Sequence, residues 1–152
     1  MLNELLDNLE SNLKYMLSIA EEMRTIMTYT SFALDHDDME RFERLIVARD
    51  IEIEKYEQYK LKYQAYLDSV ITETGMEEDE ILEEYMMETY KTQIKDIFVL
   101  LYRKDQENIK KVSSKVDDSK KEVKKIKLSR KATNSYYGMH DGFSGSRFDS
   151  KR

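Results

Sequence analysis

The chain has 152 residues, 37% of them charged, with no proline, four glycines, no cysteine and a net charge of −6. That excludes disulfide scaffolds and thiolate metal centres, and it favours long helices over a compact mixed fold. Residues 1–100 hold 24 acids and 10 bases, a net of −14, and residues 101–152 hold 7 acids and 15 bases, a net of +8.

The first predicted element is a helix over 2–33. Leu2, Leu6, Leu9, Leu13, Met16, Ala20, Met23, Met27, Thr30 and Leu34 alternate steps of four and three, which is a sustained heptad seam. Glu10, Lys14, Glu21, Glu22 and Arg24 fall between seam positions and belong in water. At 1.5 Å per residue the helix is about 50 Å long.

A corner follows, Ala33-Leu34-Asp35-His36-Asp37-Asp38-Met39-Glu40. Asp35 as N-cap would put Leu34 and Met39 in staple positions. Asp37 as N-cap would pair with Glu40 in a capping box. Both remain open on the sequence. In either case acids sit at the positive end of the second helix, and so short a connection makes the two helices antiparallel neighbours. His36 with Glu40 and the neighbouring aspartates is a conceivable cation site, but helix capping accounts for the same acids.

The second helix is expected over 38–73. Its seam is Met39, Phe42, Ile46, Arg49, Ile53, Tyr56, Lys60, Tyr63, Leu67 and Val70, interrupted by the bases Arg49 and Lys60. Tyr56, Tyr59, Tyr63 and Tyr66 form a row that reads as core or as a docking face. Gly75 suits a left-handed helix end, and Glu77, Glu78, Asp79 and Glu80 load the start of a new helix.

The third helical stretch spans 77–131, either continuous or broken near Glu88-Thr89. Its apolar residues are dense up to Tyr102 and then thin to Ile109, Val112, Val116, Val123 and Ile126. A continuous helix of that length would run about 80 Å, of which the hairpin covers about 50 Å. The expectation is an under-covered seam from Ile109 to Ile126, open to a partner helix; the alternatives are a frayed, highly charged helix and a homodimer contact. Residues 132–152 lose all periodicity and are expected to be a disordered tail carrying Tyr136, Tyr137, Phe143 and Phe148. The fold class is therefore all-α, an elongated antiparallel bundle of three or four helices over 1–131 with a flexible C-terminal tail.

No glycine-rich phosphate loop or nucleophile constellation is present, and the abundant carboxylates fall on predicted solvent faces, so no catalytic residue, cofactor or metal is assigned. Lys120, Lys121, Lys124, Lys125, Lys127, Arg130 and Lys131 form a basic block. One basic helix in a net-acidic chain is a poor nucleic-acid binder, and the charge suits solubility or steering toward an acidic protein. No apolar run approaches the roughly 20 residues that span a bilayer, and Met1-Leu2-Asn3-Glu4 is unlike a signal peptide; the expected compartment is the cytoplasm.

The corner Ala33-Leu34-Asp35 to Met39, then Leu45, Arg49 and Ile53, the pair Glu107-Asn108, and the finish Tyr136-Tyr137 through Gly145-Ser146 to Phe148-Asp149-Ser150-Lys151 together resemble the FlgN/FliT-type flagellar export chaperones. The resemblance implies a cytoplasmic, non-catalytic protein that binds the C-terminal helices of late export substrates. Those substrates would be the hook–filament junction proteins or the filament cap. It also implies delivery to the export gate or the export ATPase, with Tyr136 or Tyr137 as the gate contact. On this chain the substrate surface would be Ile109, Val112, Val116, Val123 and Ile126, with Tyr136, Tyr137 and Phe148 in the tail. The competing expectation is a structural or adaptor coiled coil that buries the same seam in a homodimer.

Overall fold

The structure is a computed structural model and describes residues 1–115. Four helices occur in this range: α1 (Leu2–Asp35), α2 (Met39–Thr74), α3 (Glu78–Glu84) and α4 (Glu88–Lys115). No strand occurs among the described residues. α1 and α2 form an antiparallel hairpin whose arms are about 50 Å long, and α3 and α4 return along it. α4 runs parallel to α1: Tyr90 lies beside Lys14, Asn108 beside Met27, and Lys111 beside Asp35.

The α1 seam behaves as its spacing predicts, being buried at every position from Leu6 to Leu34 and half-buried at Leu2. A further row, Asn12, Ile19, Ile26 and Ala33, is also buried, with Leu5 partly so. α1 packs against two helices, so it needs an apolar stripe wider than a two-position seam. The α2 seam is buried except at Met39 and Lys60, which are half-buried, and its two bases do not break the packing.

The corner is built differently from either capping arrangement expected of Asp35 or Asp37. α1 continues through Asp35, and Asp37 takes the left-handed conformation with φ 54°. The Asp38 N–H donates to Ala33 C=O at 2.9 Å and the Asp37 N–H to Leu34 C=O at 3.2 Å. These are the two bonds of a Schellman end. Asp38 is the N-cap of α2, its carboxylate accepting from the Arg41 N–H at 3.1 Å. One chain reversal therefore ends one helix and starts the next without an intervening loop.

Gly75 closes α2 in the left-handed conformation with φ 72°, as expected. The break in the return stretch falls at Tyr85–Met87, just ahead of Glu88-Thr89. Met86 is left-handed with φ 61°, Met87 N–H donates to Leu82 C=O at 2.7 Å, and Met86 N–H donates to Glu83 C=O at 3.2 Å. This is a second Schellman end, with methionine where glycine is usual. It makes α3 a separate 7-residue plug at the base of the hairpin and leaves α4 with 28 residues, about 42 Å.

That division changes how much of the return stretch the hairpin covers. α4 begins near the base and is still in contact with the hairpin at Lys115, whose ammonium donates to Leu34 C=O at 2.6 Å and pairs with Asp37. Cover therefore extends to the corner. The expectation that it fails from Ile109 onward is corrected for Ile109 and Val112; Val116, Val123 and Ile126 lie outside the described residues.

Candidate functional site

Of the eight residues assigned to partner binding, two lie among the described residues. Val112 is fully buried in a small core with Ala33, Leu34, Phe42 and Ile46. It is a packing residue of the corner, not part of an open seam, because α4 reaches the corner in register with α1. Ile109, one turn earlier, is half-buried. Val116, Val123, Ile126, Tyr136, Tyr137 and Phe148 lie outside the described residues, as do the basic block and the other tail residues.

The acids around His36 all have protein partners. Asp35 pairs with Lys111 at 2.7 Å, Asp37 pairs with Lys115, Asp38 caps α2, and Glu40 pairs with Arg44 at 3.1 Å. The hydrogen bond from Lys111 holds the Asp35 carboxyl below the usual carboxylate range. His36 stacks on Phe32 with ring centroids 4.0 Å apart, and its Nδ1 lies 2.9 Å from Phe32 C=O. No group of three or more potential metal ligands comes together among the described residues.

The feature that sequence spacing did not reveal is a polar layer inside the bundle. Arg49 of α2 and Asp105 of α4 form an ion pair at 2.8 Å, with side chains 1% and 0% exposed. One turn further along α4, Asn108 is also buried; it accepts from Ser31 Oγ at 3.2 Å, and its Nδ2 lies 3.4 Å from Met27 Sδ. No Cα of α2 comes within 8 Å of one of α4, so the two helices meet through long side chains. Arg49 bridges the gap to Asp105, and Tyr56 meets Phe98 edge-on at 4.8 Å. The available signal was Arg49 itself, a base on an apolar seam. Its partner lies 56 residues away, beyond the reach of helical periodicity.

Three apolar features of the described surface bear on binding. Between α1 and α4 is a cleft of about 280 Å³ with Met27, Leu100 and Leu101 on its walls and Arg24 and Lys104 at its edges. On the outer side of the hairpin Tyr15 and Tyr59 stack at 5.3 Å. On α2, Val47 and Ile51 lie one turn apart and are more than half exposed. No helix among the described residues is long and apolar enough to cross a membrane. The chain matches no protein-family model, no curated protein and no solved structure.

Proposed function

We propose that this protein is a non-catalytic cytoplasmic chaperone of flagellar type III export. It would bind the C-terminal helices of the hook–filament junction proteins or of the filament cap and deliver them to the export gate or ATPase. One observation carries most of the reading. α4 uses up the hairpin at Lys115, yet the sequence after that point still presents Val116, Val123 and Ile126 at steps of seven and three. An amphipathic substrate helix is the kind of partner that such spacing recognises, through anchors on one face. Val112 leaves the proposed surface because the corner core already uses it, and Ile109 stays at its edge.

The test is co-purification of the full chain with the C-terminal segments of the two junction proteins and of the filament cap. Retention of one of them, in a complex of defined stoichiometry, is the expected result. Failure with all three shifts the reading to an adaptor that dimerises. The outward pair Val47 and Ile51 on α2 gives that second reading a concrete surface. A concentration-dependent dimer in sedimentation equilibrium, lost in Val47→Glu/Ile51→Lys, would establish it.

A further inference from the structure

The core is divided along its length. The larger apolar cluster runs from the base through Met27 of α1, Ile53 of α2 and Leu101 of α4. The smaller one, at the corner, consists of Ala33, Leu34, Phe42, Ile46 and Val112. Between them lie the buried polar side chains Thr30, Arg49, Asp105 and Asn108. Thr30 turns its hydroxyl back onto Ile26 C=O at 2.7 Å and so adds no bond between helices.

The way α4 is held changes at this layer. Before it, α4 buries Ile94, Ile97, Phe98 and Leu101; from it onward, α4 buries Asp105, Asn108 and Val112. The base half is thus held by apolar burial, which is lost entirely on exposure to water. Among the described residues the corner half is held by Val112, the half-buried Ile109, a buried ion pair and an amide. Releasing the pair returns two ions to water, and that hydration offsets most of the lost attraction. The remaining ties, Lys111 to Asp35 and Lys115 to Asp37 and Leu34 C=O, lie near the surface, where ion pairs are weak and screened by salt.

We propose that α4 from Asp105 to Lys115 opens as a unit of its own, a flap over the corner core hinged at the Arg49–Asp105 layer. Opening bares Ala33, Leu34, Phe42 and Ile46 while the base half of the bundle stays closed. This inference is independent of the export reading, because it concerns the bundle alone.

Hydrogen exchange on the full chain tests it. The amides of 106–115 should exchange at least about 100-fold faster than those of 94–101, as expected of a sub-global opening below the global one. The change should be a step between Leu101 and Gln106, with similar protection throughout 106–115. Raising the salt should speed 106–115 further and leave 94–101 unchanged. Arg49→Met with Asp105→Leu, which replaces the pair by apolar side chains, should slow 106–115 by at least about tenfold. Equal exchange in the two halves overturns the proposal. So does a smooth gradient rising toward Lys115, which is simple end fraying, or unchanged exchange at 106–115 in a folded double variant. The wild-type profile needs no variant, so it decides the question even if the double variant does not fold.

Discussion

Arg49 and Asp105 occupy positions where the heptad seams of α2 and α4 would ordinarily hold aliphatic side chains. Each has lost its hydration, and the 2.8 Å contact recovers that cost only because both partners are present. Asp105→Ala removes the carboxylate that pairs with a buried guanidinium and should destabilise the fold by about 3–5 kcal/mol in urea unfolding. Arg49→Met/Asp105→Leu should exceed the wild type by about 1–4 kcal/mol, as apolar replacements of buried pairs can do. A double variant as damaged as Asp105→Ala would refute that account of the layer. Tyr56 and Tyr63 illustrate burial of a different kind. Burial pushes both phenols up, and Glu78, which accepts from the Tyr63 hydroxyl at 2.7 Å, pushes Tyr63 further. A raised folded pKa means that stability is fully present below the unfolded phenol value of about 10 and is lost as pH rises above it. In an alkaline titration followed by ultraviolet absorbance and circular dichroism, these two tyrosines should ionise together with the loss of helicity. Ionisation of both in a chain that keeps its helicity would contradict their burial.

At the scale of elements, the helix ends decide the architecture, and their legibility depended on side-chain chemistry. Gly75 was readable because a left-handed residue without a Cβ is a familiar stop. The ends at Asp37 and Met86 use the same backbone geometry, but the sequence does not mark them: aspartate is ambiguous with N-capping and methionine signals helix continuation. For that reason the sequence offers a break only as an alternative and a few residues late, near Glu88-Thr89, and it offers Asp35 or Asp37 as the cap of α2 where the structure uses Asp38. The extra α1 row through Asn12, Ile19 and Ile26 was missed for a related reason. A two-position heptad seam describes one packing partner, and α1 has two. Met86 supplies an element-scale prediction. Its side chain is 84% exposed and buries almost nothing, while its φ of 61° strains any residue with a Cβ. Met86→Gly should relieve about 1–2 kcal/mol of that strain and lose about 0.4–1 kcal/mol to the greater freedom of the unfolded chain. A net gain of up to about 1.5 kcal/mol in urea unfolding is expected, and a loss of stability would mean that the methionine side chain holds the α3–α4 junction.

At the scale of the whole molecule, sequence periodicity was enough to place two antiparallel helices and a return stretch, but not to show where the return stretch starts counting. Treated as one helix from residue 77, it outruns the hairpin. Split at Tyr85–Met87, its long part fits beside α1 as far as Lys115. That shift moves Val112 from a proposed binding face into the corner core and separates two roles that apolar spacing alone cannot distinguish. The separation is testable with single-site charges. Val112→Asp forces a carboxylate among Ala33, Leu34, Phe42 and Ile46 and should destabilise the chain by about 3 kcal/mol or more, whatever the protein binds. Val116→Asp with Val123→Asp adds charge after Lys115 in the sequence, outside the described residues. On the export-chaperone reading it should leave urea unfolding within about 0.5 kcal/mol of the wild type and abolish co-purification with the substrate segment. A folded Val116→Asp/Val123→Asp protein that retains its substrate would place the binding face elsewhere, the α1–α4 cleft at Met27 and Leu101 being the next described surface to probe.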